Sequence, residues 1–175
     1  MIHAYLVQST PWTSARGCDE TVPGYTRFEL VEMAIQVERA GEKFYRGSAA
    51  KAKGAAKDLL GVLAADERRH AEIFLQLLAK GAKDETKGII PEEATPYIES
   101  LVGTSVLKHL VEGSSPSLET TMQILEFALG FEKETLLFYY SIREYVTSAA
   151  ATVIDRIIFE EKDHVRRIRS LQASA

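Results

Sequence analysis

From Thr26 onward the apolar residues fall into the three-and-four spacing of a helix. Phe28, Val31, Ala34, Ile35, Glu38, Gly41 and Tyr45 share one face, which predicts a helix from 26 to about residue 50. The stretch KAKGAAK interrupts this pattern, and a second helix is predicted from Lys57 to Lys80, ending at Gly81. Its stripe runs Leu60, Leu63, Glu67, His70, Phe74 and Leu77 in steps of three and four. Two ionisable groups therefore occupy slots where the rhythm calls for core side chains.

Residues 81 to 116 contain KDETKG, Pro91, Pro96, Gly103 and EGSSPS, too many turn formers for one helix. They predict a long crossover in which PYIESLVGTSVLKHL supplies one short helix. A third helix is predicted from near Ser117, whose hydroxyl can cap it, with the stripe Met122, Leu125, Leu129, Glu132, Leu136 and Tyr139. After a weak break at TSAAA a fourth carries Ile154, Ile157, Glu161, His164, Ile168 and Leu171. No β-type alternation of any length occurs, so the expected fold is all-α, four helices with one long connection between the second and third. Residues 1–25, with STPWTSARGCDETVPG, predict an N-terminal arm ahead of a single domain spanning 26–175.

The odd polar positions recur. One offset of 94 residues carries Glu38 onto Glu132, Tyr45 onto Tyr139, Glu67 onto Glu161 and His70 onto His164. The same offset relates Leu60 to Ile154, Leu63 to Ile157, Phe74 to Ile168 and Leu77 to Leu171, so the chain reads as two copies of a helical hairpin. Each copy offers a lone glutamate on its first helix and an E-x-x-H pair on its second, where the i, i+3 spacing sets carboxylate and imidazole side by side. Four carboxylates inside a bundle repel one another and lose hydration, at several kcal/mol per ion. No Arg or Lys shares the stripe. Two divalent cations balance the four negative charges and satisfy their lone pairs. Mixed oxygen and imidazole ligation suits iron or manganese, with zinc also within reach on affinity.

Composition narrows the setting. A chain of 175 residues with 46% hydrophobic content fits one domain with a sizeable core. Its net charge of −4 carries no footprint for nucleic acid. Cys18 is the one cysteine, so these residues can form neither an internal disulfide nor a four-cysteine metal site. There is no run of 18 apolar residues and no signal-peptide pattern at the start, and the expected location is cytoplasmic, away from membranes.

With Glu38, Glu67, His70, Glu132, Glu161 and His164 in place, the sequence resembles the ferritin-like di-iron carboxylate proteins, and among them the rubrerythrin group, over residues 26 to 172. The resemblance implies a ferritin-like four-helix bundle of two repeated hairpins. It implies that Glu67 and Glu161 bridge two metals, that Glu38 and Glu132 are terminal ligands, and that His70 and His164 each hold one metal. It further implies an oxidoreductase that reduces peroxide or dioxygen, since a di-iron pair can pass two electrons at once. The electron donor would be a separate protein such as a rubredoxin, and the expected assembly is a homodimer. A ferroxidase or iron-storage protein and a non-catalytic metal-binding bundle are the alternative readings. Where the group usually carries a further third-helix glutamate, this chain has Thr135, with Glu134 one residue short, which points to a symmetric six-ligand site.

Tyr45 and Tyr139 lie two turns beyond the lone glutamates and either aim hydroxyls into the polar interior or serve as core aromatics. Asp66 and Glu160, at i−1 to the E-x-x-H glutamates, are expected to contact histidines on neighbouring helices if they act at all. Arg68, Arg69 and Glu72 are read as solvated or subunit-facing. His3 and His109 are read as bystanders, and Phe127, Phe131, Phe138 and Tyr140 as packing or dimer contacts.

Overall fold

The computed structural model describes residues 25–81, 90–103, 106–114 and 116–174. The expected arm, with His3, Trp12 and Cys18, lies outside the described residues apart from Tyr25. Among the described residues every regular element is a helix: α1 (Arg27–Lys51), α2 (Gly54–Gly81), a 3-10 turn (Glu92–Ala94), α3 (Thr95–Gly103), α4 (Val106–Val111), α5 (Thr121–Ile142) and α6 (Ser148–Ser174).

Helix α1 begins at a reciprocal cap. The Glu29 N–H donates to Thr26 Oγ1 at 3.2 Å, and the Thr26 N–H donates to Glu29 Oε2 at 2.6 Å. The predicted break after α1 shrinks to Ala52 and Lys53, because Gly54 takes φ +55°, a left-handed conformation that reverses the chain within a very short span. Helix α5 starts three residues later than predicted. Its cap is Thr120, not Ser117, because Gln123 three residues on completes the box: the Gln123 N–H donates to Thr120 Oγ1 at 3.2 Å and the Thr120 N–H to Gln123 Oε1 at 3.0 Å. Residues 121–123, Met122 among them, are exposed, so the buried apolar face of α5 starts at Ile124 and Leu125.

Packing of α1 on α2 and of α5 on α6 makes the two hairpins, and contacts of α2 with α6 and α1 with α5 join them. The crossover carries two short helices where one was predicted. Ile98 and Val102 of α3 and Leu107 and Leu110 of α4 are buried against the bundle. Glu134 belongs to this crossover, accepting the Leu107 N–H at 3.2 Å where α4 starts. Within the bundle, Leu60, Leu63, Ile154 and Ile157 form an apolar layer to one side of the E-x-x-H pairs, and Phe74 and Ile168 lie to the other. The segment between these layers holds the E-x-x-H pairs.

Candidate metal centre

That segment is polar and buried. Glu38, Glu67, His70, Glu132 and Glu161 have no exposed surface, and His164 is 2% exposed. They come from all four long helices, one glutamate each from α1 and α5 and an E-x-x-H pair each from α2 and α6. Both imidazoles turn Nδ1 inward. His70 Nδ1 lies 2.8 Å from Glu161 Oε1 and 3.5 Å from Glu38 Oε2. His164 Nδ1 lies 2.9 Å from Glu161 Oε2, 3.4 Å from Glu67 Oε1 and 3.5 Å from Glu132 Oε1. The two rings are stacked with centroids 5.8 Å apart.

Two sets of atoms could each hold a cation. Ligand atoms of Glu38, Glu67, His70 and Glu161 lie within 4.8 Å of one another, and so do those of Glu67, Glu132, Glu161 and His164. Glu67 and Glu161 belong to both sets. Buried atoms without a hydrogen bond test whether a cation fits. Among the described residues, eight buried side-chain N and O atoms lack such a partner, and six sit here: Glu38 Oε2, both oxygens of Glu67, His70 Nδ1, Glu132 Oε2 and Glu161 Oε1. His70 Nδ1 and Glu161 Oε1 are 2.8 Å apart yet misaligned for a hydrogen bond. Converging lone pairs that do not pair with each other suit a shared positive ion, and leaving each unsatisfied costs about 1–3 kcal/mol.

Protons are the alternative neutralising charge. Burial first, then the Glu161 charge, push the Glu67 carboxyl well above the ordinary range, and the same causes raise Glu132 to about 8. Burial alone would lower His70, but the charges of Glu38 and Glu161 raise it to about 11. Burial likewise opposes a charged Glu161, yet contacts with His164 and His70 hold its pKa below the usual range.

Outside the cluster, each hairpin supports the other. Tyr45 of α1 donates its hydroxyl to Glu132 Oε1 of α5, and Tyr139 of α5 donates to Glu38 Oε1 of α1. Burial and the surrounding carboxylates raise both phenols well above their ordinary value, so they stay protonated donors. Each leaves the Oε2 of its glutamate free, and those are the unpartnered oxygens. The outward Nε2 of His70 meets Glu160 Oε2 at 3.0 Å, and that of His164 meets Asp66 Oδ2 at 3.4 Å. An acid on Nε2 fixes the tautomer that leaves Nδ1 as a donor of electrons.

Two features escaped sequence reasoning. Arg69 is not a free surface side chain: its guanidinium donates to Asp66 Oδ1 at 2.7 Å and Glu160 Oε2 at 2.6 Å. Bonds from His164 and Arg69 hold Asp66 down at about 2. Gly41 fills a tight spot, since a Cβ there would lie 2.8 Å from the Phe131 ring and 2.9 Å from Glu67 Oε2. Its counterpart under the 94-residue offset, Thr135, is buried with its hydroxyl unpartnered. His109 is remote, pairing with Ser114 at 3.3 Å. Phe131 and Phe138 are core residues, whereas Tyr140 is 44% exposed beneath the Lys162 ammonium.

Four long helices in two hairpins, joined by a long crossover around a carboxylate and histidine cluster, define the ferritin-like class of di-iron carboxylate folds. The family model "Rubrerythrin" matches residues 29–172, and the chain belongs to that family. A solved structure from Thermotoga maritima, assigned as a ferritin-like diiron-carboxylate protein, superposes with a TM-score of 0.65 at 24% sequence identity. The match covers 87% of this chain and 97% of that one, and it bears on the fold. A search of curated proteins returns no match. No described helix is long and apolar enough to cross a membrane.

Proposed function

We propose that Glu38, Glu67, His70, Glu132, Glu161 and His164 hold two iron ions, and that the centre reduces peroxide or dioxygen with electrons from a separate donor protein. The observation that carries this reading is that Glu67 and Glu161 are common to two four-residue ligand sets, which suits them to bridge a metal pair. Glu38 and Glu132 are then terminal ligands, and His70 and His164 bind one ion each through Nδ1.

Bound iron supplies a two-electron couple, matched to splitting an O–O bond without releasing one-electron products. The protein's own part is positional. Tyr45 and Tyr139 orient the terminal carboxylates, Asp66 and Glu160 hold the imidazole protons on Nε2, and the apolar layers around Leu63 and Phe74 exclude bulk water. Oxygen and nitrogen ligands without thiolate favour iron, with manganese next.

The test is metal analysis of protein isolated without added metal, joined to a peroxide-consumption assay on the reduced form. Two iron ions per chain and rapid peroxide loss are expected. Fewer than two bound metals, or a reduced protein inert to both peroxide and dioxygen, would overturn the reading. Size-exclusion chromatography adds a check: a homodimer is expected, and a large hollow assembly would favour iron storage.

A further inference from the structure

The sequence repeat holds for the six ligand candidates and for the acids behind them, but it breaks at the residue that binds those acids from outside. Under the 94-residue offset Arg69 corresponds to Asp163. Arg69 reaches back three residues to Asp66 at 2.7 Å and across to α6, where it shares Glu160 Oε2 with His70 Nε2, at 2.6 and 3.0 Å. An arginine at 163 would mirror this, three residues after Glu160 and facing Asp66 on α2. The short Asp163 side chain instead turns along its own helix to Arg166 at 2.8 Å.

The surface differs accordingly. A depression of about 340 Å³ lies at the seam of α2 and α6, lined by Asp66, Phe159, Glu160, Asp163, His164 and Arg166. It reaches His164 and does not reach His70. The bond behind His164 is also the longer one, 3.4 Å to Asp66 against 3.0 Å from His70 to Glu160. A buried ion leaves only when its imidazole gives way and water arrives. The depression opens on the half that holds His164, and in the other half Arg69 binds the same Glu160 oxygen that backs the His70 imidazole.

We infer that the two metal positions are inequivalent: Arg69 seals the position held by His70, and the depression between α2 and α6 is the route by which a divalent cation reaches and leaves His164. The ligand set at the inner end of that route, Glu67, Glu132, Glu161 and His164, selects a cation. The inference rests on the ligand set proposed above, and Arg69 acts as a positioning residue.

The probe is cobalt(II). The full chain is stripped with a chelator, loaded, counted for bound ions and released into excess EDTA while visible absorption is followed. Two ions per chain are expected, leaving in two equal phases. Asp163→Arg should slow the fast phase roughly tenfold, Asp163→Asn should not slow it, and Arg69→Gln should speed the slow phase by a similar factor, as changes behind a ligating histidine do. Both positions are on the surface, and thermal melts confirm that each variant is folded. Release in a single phase from the unmodified protein, or phases that neither arginine change moves, would overturn the inference while the ligand set stands. A count below two ions overturns the ligand set, and the inference with it.

Discussion

Tyr45, on the first hairpin, hydrogen-bonds Glu132 on the second, and the pair is reproduced in reverse by Tyr139 and Glu38. These bonds cross between repeats, so each terminal carboxylate is held by the hairpin it does not belong to. Tyr45→Phe removes a donor from a carboxylate without exposed surface. The metal-loaded protein should lose about 2 kcal/mol, since hydrogen bonds to charged groups contribute roughly 1.5–3 kcal/mol. Denaturant unfolding of Tyr45→Phe, Tyr139→Phe and the double variant measures it. A loss under half a kcal/mol in both singles would show that the bonds are incidental.

Glu67 and Glu38 should differ in what their removal costs. Glu67 belongs to both ligand sets and Glu38 to one. Glu67→Ala is therefore expected to lower binding at both positions, and Glu38→Ala mainly at the His70 position. Elemental analysis after gel filtration reads this directly. Equal stoichiometry in the two variants would contradict a bridging role for Glu67.

The cluster itself was legible in the sequence because burial and ionisation conflict. A glutamate or histidine in a leucine slot is costly unless something compensates it, and one offset linking three such pairs leaves little room for coincidence. What periodicity cannot convey is reach. Arg69 lies about 100° per residue away from its neighbour on the stripe, so its helix face suggested solvent, yet a long guanidinium spans to Glu160 on another helix. The start of α5 depended on a partner: Ser117 and Thr120 are both competent caps, and Gln123 selects Thr120. The role of Gly41 is set by Phe131, 90 residues away in sequence, which no local pattern reports.

Gly41→Ala tests that close approach. On an open helix face the change would stabilise by up to about 1 kcal/mol. Here the new methyl meets the Phe131 ring and Glu67 Oε2 under 3 Å, so a net loss of roughly 1–3 kcal/mol is expected from overpacking. Lower metal occupancy should accompany it as Glu67 is displaced. A higher melting temperature with full occupancy would mean that the site relaxes freely.

Thr135→Val replaces a buried, unpartnered hydroxyl with a methyl of similar shape. Without a hydrogen bond to lose, the variant should be as stable as the parent or more so. A clear destabilisation in thermal unfolding would reveal a partner for the hydroxyl, such as bound water or a ligand.

Metal removal should be felt most at neutral and alkaline pH. In the stripped protein Glu67 and Glu132 have raised pKa values in the fold, Glu132 moving from 4.5 to about 8. A raised carboxyl stabilises the fold fully below its unfolded value, and this contribution is lost as pH climbs through the folded one. His70, raised from 6.5 to about 11, likewise loses its contribution on the alkaline side. Asp66, lowered from 3.8 to about 2, and Glu161, also lowered, act in the opposite sense and fail only in acid. The stripped protein should therefore be most stable near pH 5 and weaken towards about pH 8, as its carboxylates lose the protons that replaced the cations. The loaded protein has its cations in that range, while acid protonates its ligands. The melting-temperature gap between loaded and stripped forms should widen from about pH 5 to about pH 8, and scanning calorimetry at the two values decides it. A gap that stays constant would mean that the cluster's charge is balanced by something other than the bound ions.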